Sequence, residues 1–166
     1  MDEHKHHRQS IKPVACAVIT VSDTRTMDTD KTGAWIQDRL ALAQHRVHSY
    51  EIIPDEPSTI RDRIVTLCDI AECQVILLAG GTGLAKRDTT YDVVNDLVEK
   101  RLDGFGELFR YLSYIEIGPR AMLSRAVAGV RQQTAIFSLP GSPSAVALAM
   151  DKLILPELGH IVWLLT

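Results

Sequence analysis

Residues 14–21 read Val-Ala-Cys-Ala-Val-Ile-Thr-Val, and residues 75–79 read Val-Ile-Leu-Leu-Ala. A strand with one wet face alternates apolar and polar positions. These runs do not, so each must be covered on both faces, as strands of a parallel sheet are when helices pack on either side. The chain between them has helical spacing. Ile36, Leu40 and Ala43 fall on one face behind Thr32, the expected cap, and Ile60, Ile64, Leu67 and Ala71 repeat behind Ser58. Residues 47–53 read as a strand ended by Pro54. This alternation of strand and helix implies right-handed βαβ units.

The pattern continues past residue 79. Thr89 or Thr90 caps a helix with Val94, Leu97 and Val98 inward. A further helix spans residues 105–115, with Phe105, Leu108, Phe109, Leu112 and Ile115 toward one side. Beyond Pro119 the apolar runs 126–130 and 134–139 are separated only by Arg131-Gln132-Gln133. That gap is too short for a crossover, so these strands are antiparallel neighbours. Two closing helices follow, broken near Pro156. The predicted fold is a three-layer α/β/α sandwich with a mostly parallel sheet and one antiparallel strand.

A length of 166 residues suits one such domain. Residues 1–12 read as a mobile tail, and 13–166 as a single α/β domain without repeat or linker. His4, His6 and His7 fit either a solvated tail or a metal site. The net charge of −3, with no basic block, argues against a nucleic-acid partner. A polyanionic ligand would have to be held by a local pocket of N–H groups and a few cations. No apolar run is long enough to span a bilayer, and none resembles a secretory signal. Cys16, Cys68 and Cys73 form no C-x-x-C pair and no disulfide framework. The expected compartment is the cytoplasm, with no membrane association.

In an open α/β sheet, ligands sit beyond the carboxyl ends of the strands. Four segments reach that rim: Ser22-Asp23-Thr24, Pro54-Asp55-Glu56, Gly80 through Asp88, and Pro140-Gly141-Ser142. Gly80-Gly81-Thr82-Gly83 directly follows a buried strand. Such glycines either turn N–H groups toward phosphate oxygens, with Thr82, Lys86 and Arg87 assisting, or simply make a tight turn. The loop matches neither the Walker pattern nor the dinucleotide fingerprint. Asp55 and Asp88 each follow a strand end, as a pair of oxygen ligands for Mg2+ would, or as helix caps would. Asp23 is a weaker candidate of the same kind. Leu139-Pro140-Gly141-Ser142-Pro143 reads as an anion site at a helix start or as a structural turn. No catalytic triad, reactive cysteine or zinc spacing is present.

Together these segments, with Thr20-Val21-Ser22-Asp23, Arg87-Asp88 and Leu123-Ser124-Arg125, resemble the MogA/MoaB family of molybdenum-cofactor biosynthesis proteins. The stretch Gly104-Phe105-Gly106-Glu107-Leu108-Phe109-Arg110 looks closest to the MoaB branch. The resemblance covers the chain from about Val14 onward, in the family's order. It implies a soluble enzyme that binds molybdopterin and Mg-ATP, transfers AMP to the pterin phosphate and releases pyrophosphate. Asp55 and Asp88 stand at the family's two important aspartates, as catalytic and Mg2+-binding residues. Ser22, Asp23, Gly80, Gly81, Thr82, Gly83, Arg87, Ser124, Pro140, Gly141 and Ser142 stand in the molybdopterin and ATP site. Lys86 and Tyr91 depart from the family, which commonly has proline at both positions. Some relatives that lack the first aspartate are thought inactive, so the alternative is a non-catalytic molybdopterin-binding or scaffolding paralogue.

The resemblance further implies a trimer, with two trimers pairing into a hexamer, and a downstream molybdenum-insertion protein as partner. Tyr111, Tyr114 and Ile117, and the apolar end Ile161-Val162-Trp163-Leu164-Leu165, supply apolar surface for such self-association.

Overall fold

The computed structural model describes residues 12–166; residues 1–11, and with them the expected tail and its His4, His6 and His7, lie outside the described residues. The first apolar run forms β1 (Ala15–Val21), buried at every position. Side chains alternate across a strand, so Cys16 and Val18 enter one core while Ala17 and Ile19 enter another. β3 (Val75–Ala79) divides in the same way, Leu77 and Ala79 against Ile76 and Leu78.

Helices close both cores. The first takes Ile36 and Leu40 from α1 (Lys31–Leu42), Phe105 and Phe109 from α4 (Asp103–Ile117), and the apolar face of the C-terminal helices. The second takes Ile60, Ile64 and Leu67 from α2 (Pro57–Cys68), and Val93, Val94 and Leu97 from α3 (Thr90–Leu97). Between them lies a six-stranded sheet in the order β2-β1-β3-β6-β5-β4, where β2 is Arg46–Ile53, β4 Lys100–Arg101, β5 Val127–Arg131 and β6 Thr134–Leu139. β2, β1, β3 and β6 are parallel, and β5 runs against both β6 and β4. The three-layer sandwich with one reversed strand is the predicted architecture.

Several local expectations are corrected. α1 is capped by Asp30, whose carboxylate accepts the Gly33 N–H at 3.0 Å; Thr32 lies inside the first turn. Ser58 is likewise within α2, which opens on Pro57, a residue suited to a position whose N–H would be unpaired anyway. β4 consists of two exposed polar residues and was not foreseen. Its partner Gly129 has no side chain, which lets the Lys100 carbonyl come so close that a Cβ there would stand 2.6 Å away.

After Pro143 come the two closing helices, and the α-helical ladder is interrupted just ahead of Pro156. α5 (Pro143–Ala149) passes through a widened π turn (Met150–Ile154) into α6 (Leu155–Leu165). The wide turn places Pro156 in the first turn of α6, where its missing N–H costs little. On α4, Leu108 and Ile115 are 53% and 64% exposed, so the inward stripe is Phe105, Gly106, Phe109 and Ser113.

The three cysteines are free and buried, and burial raises all three thiols, Cys73 to about 11. Among the described residues no helix is long and apolar enough to cross a membrane.

Candidate functional site

The ends of β1, β3 and β6 meet so closely that only backbone fits between them. Gly80, at φ +112°, donates its N–H to the Leu139 carbonyl at 3.0 Å, and a Cβ on it would stand 2.3 Å from the Val21 carbonyl oxygen. Gly141 packs against Gly80, with room for a Cβ only at 3.3 Å. The rim segments of three strands are thus joined at two glycines.

The next glycines serve the carboxylates. Gly81 has φ +68°, and a Cβ there would lie 2.5 Å from Asp55 Oδ2 and 2.1 Å from Thr90 Oγ1. A Cβ on Gly83 would lie 2.5 Å from Asp88 Oδ2. Asp55 and Asp88 therefore lean over neighbouring glycines of one loop, although they come from different strand ends. Thr90 Oγ1 is buried there without a hydrogen-bond partner. These oxygens crowd the two glycines so closely that no side chain fits at 81 or 83 without displacing them.

Asp55 is 6% exposed and fixed from two directions. Its Oδ1 accepts the Thr89 N–H at 3.1 Å and the Thr89 hydroxyl at 2.5 Å, while its own N–H donates to Asp23 Oδ1 at 3.1 Å. Asp88 Oδ2 accepts the Ala85 N–H at 3.2 Å, which tightens the loop.

Arg87 does not stand ready for a phosphate, as the sequence suggested. It forms a two-pronged pair with Asp23 at 2.7 and 2.9 Å and a third bond to Glu56 at 2.5 Å. Hydrogen bonds from Arg87, and then the Asp55 N–H, hold the Asp23 carboxyl below its usual range, while the bonds to Asp23 and then Glu56 raise the guanidinium. With Arg87 so engaged, carboxylates outnumber cations around this rim, and Lys86 has no ion pair among the described residues. Such a field favours a divalent cation and opposes a bare polyphosphate.

The remaining candidates are dispersed around this centre. Ser22 Oγ accepts the Thr24 and Arg25 N–H groups at 3.3 and 3.1 Å, so its oxygen is turned into its own loop. Thr82 is buried. Ser142 precedes α5 with its hydroxyl exposed and uncommitted to a cap, and Pro140 is half-buried beside it. Ser124 Oγ is enclosed without a partner, so it does not face solvent.

Sequence reasoning missed three residues. Asp30 is almost fully buried and accepts Thr20 Oγ1 at 2.5 Å, Tyr50 Oη at 2.7 Å, the Gly33 N–H at 3.0 Å and Arg25 Nη1 at 3.3 Å. Burial pushes its carboxyl upward, but these bonds outweigh burial and hold it below the usual range; burial and Asp30 together push Tyr50 up to about 12. Arg25, anchored by Asp30, reaches the Gly141 carbonyl at 3.3 Å and ties the β1 loop to the Pro-Gly-Ser turn. Arg125 donates to the carbonyls of Thr82 (3.3 Å), Gly83 (3.0 and 2.7 Å) and Asp88 (3.1 Å), pairs with Asp92 at 3.0 Å and lies 4.8 Å over the Tyr91 ring. Two signals were available: Asp30 stands three residues ahead of Gly33, a cap spacing, and Arg125 lies in the Leu123-Ser124-Arg125 motif of the resemblance, while nothing local marks Arg25.

Among the described residues no group of three or more His, Cys, Asp or Glu gathers to hold a metal. Mg2+ asks for fewer, since it takes one or two protein carboxylates and completes its shell with water and substrate phosphate.

The family model for a probable molybdopterin binding domain matches residues 17–160. Molybdenum cofactor biosynthesis protein B of Halalkalibacterium halodurans is 50% identical over 163 residues, spanning 98% of this chain and 96% of that protein. The protein of the same name from Bacillus subtilis is also 50% identical, over 98% of this chain and 95% of its own. A crystal structure of a molybdenum cofactor biosynthesis protein B superposes with a TM-score of 0.92 at 49% identity, over 95% of this chain and 98% of that one. The tungsten cofactor synthesizing protein MoaB from Pyrococcus furiosus gives 0.82 at 33%, over 93% and 98%. With its sheet order, its glycine loop and these relatives in agreement, the chain belongs to the MogA/MoaB family of molybdenum-cofactor biosynthesis proteins.

Proposed function

We propose that the protein is a molybdopterin adenylyltransferase. The observation that carries this reading is the placement of Asp55 and Asp88 over Gly81 and Gly83 of one loop, beside the unpartnered Thr90 hydroxyl. In this reaction a phosphate oxygen of molybdopterin attacks the α-phosphorus of ATP. The bond from that phosphorus to the bridging oxygen breaks, and pyrophosphate leaves with the electron pair. The substrate supplies its own nucleophile, so no protein nucleophile is needed, and rate comes from alignment and charge neutralisation. Asp55 and Asp88 would hold Mg2+, which screens phosphate charge and orients the leaving group. Thr89 fixes the Asp55 carboxylate, the loop N–H groups receive phosphate oxygens, and Lys86 is the nearby cation not already paired. A pyrophosphate-release assay with ATP, with and without molybdopterin, at defined Mg2+ tests this. Release that depends on both molybdopterin and Mg2+ is expected; pterin binding without release identifies a carrier or scaffold instead.

The proposal extends to context. The protein acts in the cytoplasm and passes adenylylated molybdopterin to a molybdenum-insertion protein. It works as a trimer, or as a hexamer of paired trimers, through the apolar residues left exposed along α4 and after it, among them Leu108, Tyr111, Ile115 and Met122.

A further inference from the structure

We infer that Arg125 is a positioning residue: by gathering loop carbonyls on one side it turns the Gly83 and Leu84 N–H groups outward as the phosphate-binding donors. This inference rests on the adenylyl-transfer site proposed above, and deepens it.

A trans peptide holds its C=O and N–H on opposite sides. Arg125 captures the carbonyls of Thr82, Gly83 and Asp88. The N–H groups of the same peptide units, on Gly83, Leu84 and Thr89, therefore point away from it. Thr89 shows the consequence directly, since its N–H donates to Asp55 Oδ1 on the far side. One peptide unit is thus held by Arg125 at its oxygen and by Asp55 at its nitrogen. The Gly83 and Leu84 N–H groups, like those of Gly81, Thr82, Lys86 and Arg87, donate to no other described residue, and they are the two open donors whose direction Arg125 sets. A guanidinium behind the carbonyls also polarises these peptides, which strengthens the donors in front.

Arginine suits the task because its planar fork offers five donors in fixed directions. Nε bridges the Thr82 and Gly83 carbonyls, Nη2 those of Gly83 and Asp88, and Nη1 takes the Asp92 carboxylate. Tyr91 and Asp92, both in the first turn of α3, fix the plane of the fork. All three nitrogens are committed within the protein, so Arg125 does not touch the phosphate itself. A lysine at this position is a single point charge and cannot span three carbonyls and a carboxylate together.

The test uses the full chain labelled with 15N, titrated with inorganic pyrophosphate at fixed Mg2+, with thermal melting in parallel. In the unaltered protein the Gly83 and Leu84 amide resonances should shift saturably. Arg125→Lys should bind roughly tenfold more weakly, and its Thr89 amide should already be displaced without ligand. Should Arg125→Lys not fold, Asp92→Asn, which frees one edge of the guanidinium, should weaken binding by about threefold. A folded variant that titrates Gly83 and Leu84 like the unaltered protein overturns the inference and leaves adenylyl transfer standing. Silent Gly83 and Leu84 amides in a protein that does release pyrophosphate overturn it too. Responsive amides in a protein that never releases pyrophosphate overturn the enzyme reading alone.

Discussion

Asp55 and Asp88 differ in how much of each carboxylate the protein already uses. Asp55 commits one oxygen to both donors of Thr89, whereas Asp88 gives one oxygen to a single amide. Asp88→Asn should therefore lower adenylyl transfer by about a hundredfold or more while leaving pterin affinity nearly unchanged, because a metal ligand acts on the phosphates in the transition state. Single-turnover rates set beside pterin titrations check this, and near-normal turnover would make Asp88 a loop cap only. Asp30 permits a pH prediction. Its folded pKa is depressed, so its contribution to stability is full above the unfolded carboxyl range and is lost as pH falls through the folded value. Asp30→Asn should cost about 1–3 kcal/mol near pH 7, and denaturant melts should show the gap to the unaltered protein closing in acid. The addresses of Asp55 and Asp88 were legible because Asp55 stands two residues past β2 and Asp88 closes the glycine loop that leaves β3. The neutralisation of Arg87 was not, because Asp23 and Glu56 reach it from the segments that follow two other strands.

At the scale of elements, the glycine loop turns on which side of its backbone is full. A side chain at Gly81 and one at Gly141 meet different obstacles. At Gly81 the obstruction is internal, since a Cβ meets Asp55 and Thr90 and the backbone sits at positive φ. Gly81→Ala should destabilise by about 1–3 kcal/mol and should also displace Asp55. Gly141→Ala meets only the Gly80 Cα at 3.3 Å and should shift the melting midpoint far less. Paired thermal melts decide the point, and equal losses would show that the loop is not packed as described. The strands were legible because both faces of β1 and β3 are buried and the composition says so. The two-residue β4 was not, since Lys100 and Arg101 carry no apolar pattern and pair only because Gly129 admits a neighbouring backbone. The break near Pro156 was legible from the proline, but its form was not. Proline reports a lost N–H, and not that the interruption is a widened turn whose Met150 and Ile154 lie in the core.

For the whole molecule, the question is what covers α4. Its inward stripe is narrow, and Leu108, Tyr111, Tyr114, Ile115 and Ile117 are all more than half exposed, followed by Met122 and Leu123. Helical spacing alone placed Leu108 and Ile115 inward, because it cannot tell a helix lying on a sheet from one wedged at its edge. The result is more apolar surface than the sequence suggested, gathered on one helix and the turn after it. Singly exposed apolar residues are ordinary, but a contiguous set of this kind marks an interaction surface, and closed symmetric assembly is the common way a small domain covers one. Ile115→Glu places a charge where a partner subunit would have to desolvate it, while in a lone chain the same side chain remains in water. The variant should therefore sediment as a monomer at micromolar concentration, with far-ultraviolet circular dichroism unchanged, while the unaltered protein sediments as a trimer or hexamer. An unaltered protein that is already monomeric under those conditions would remove the assembly proposal. A trimer that never pairs would place the protein nearer the MogA branch than the MoaB branch, leaving the chemistry assigned to the rim of each subunit untouched.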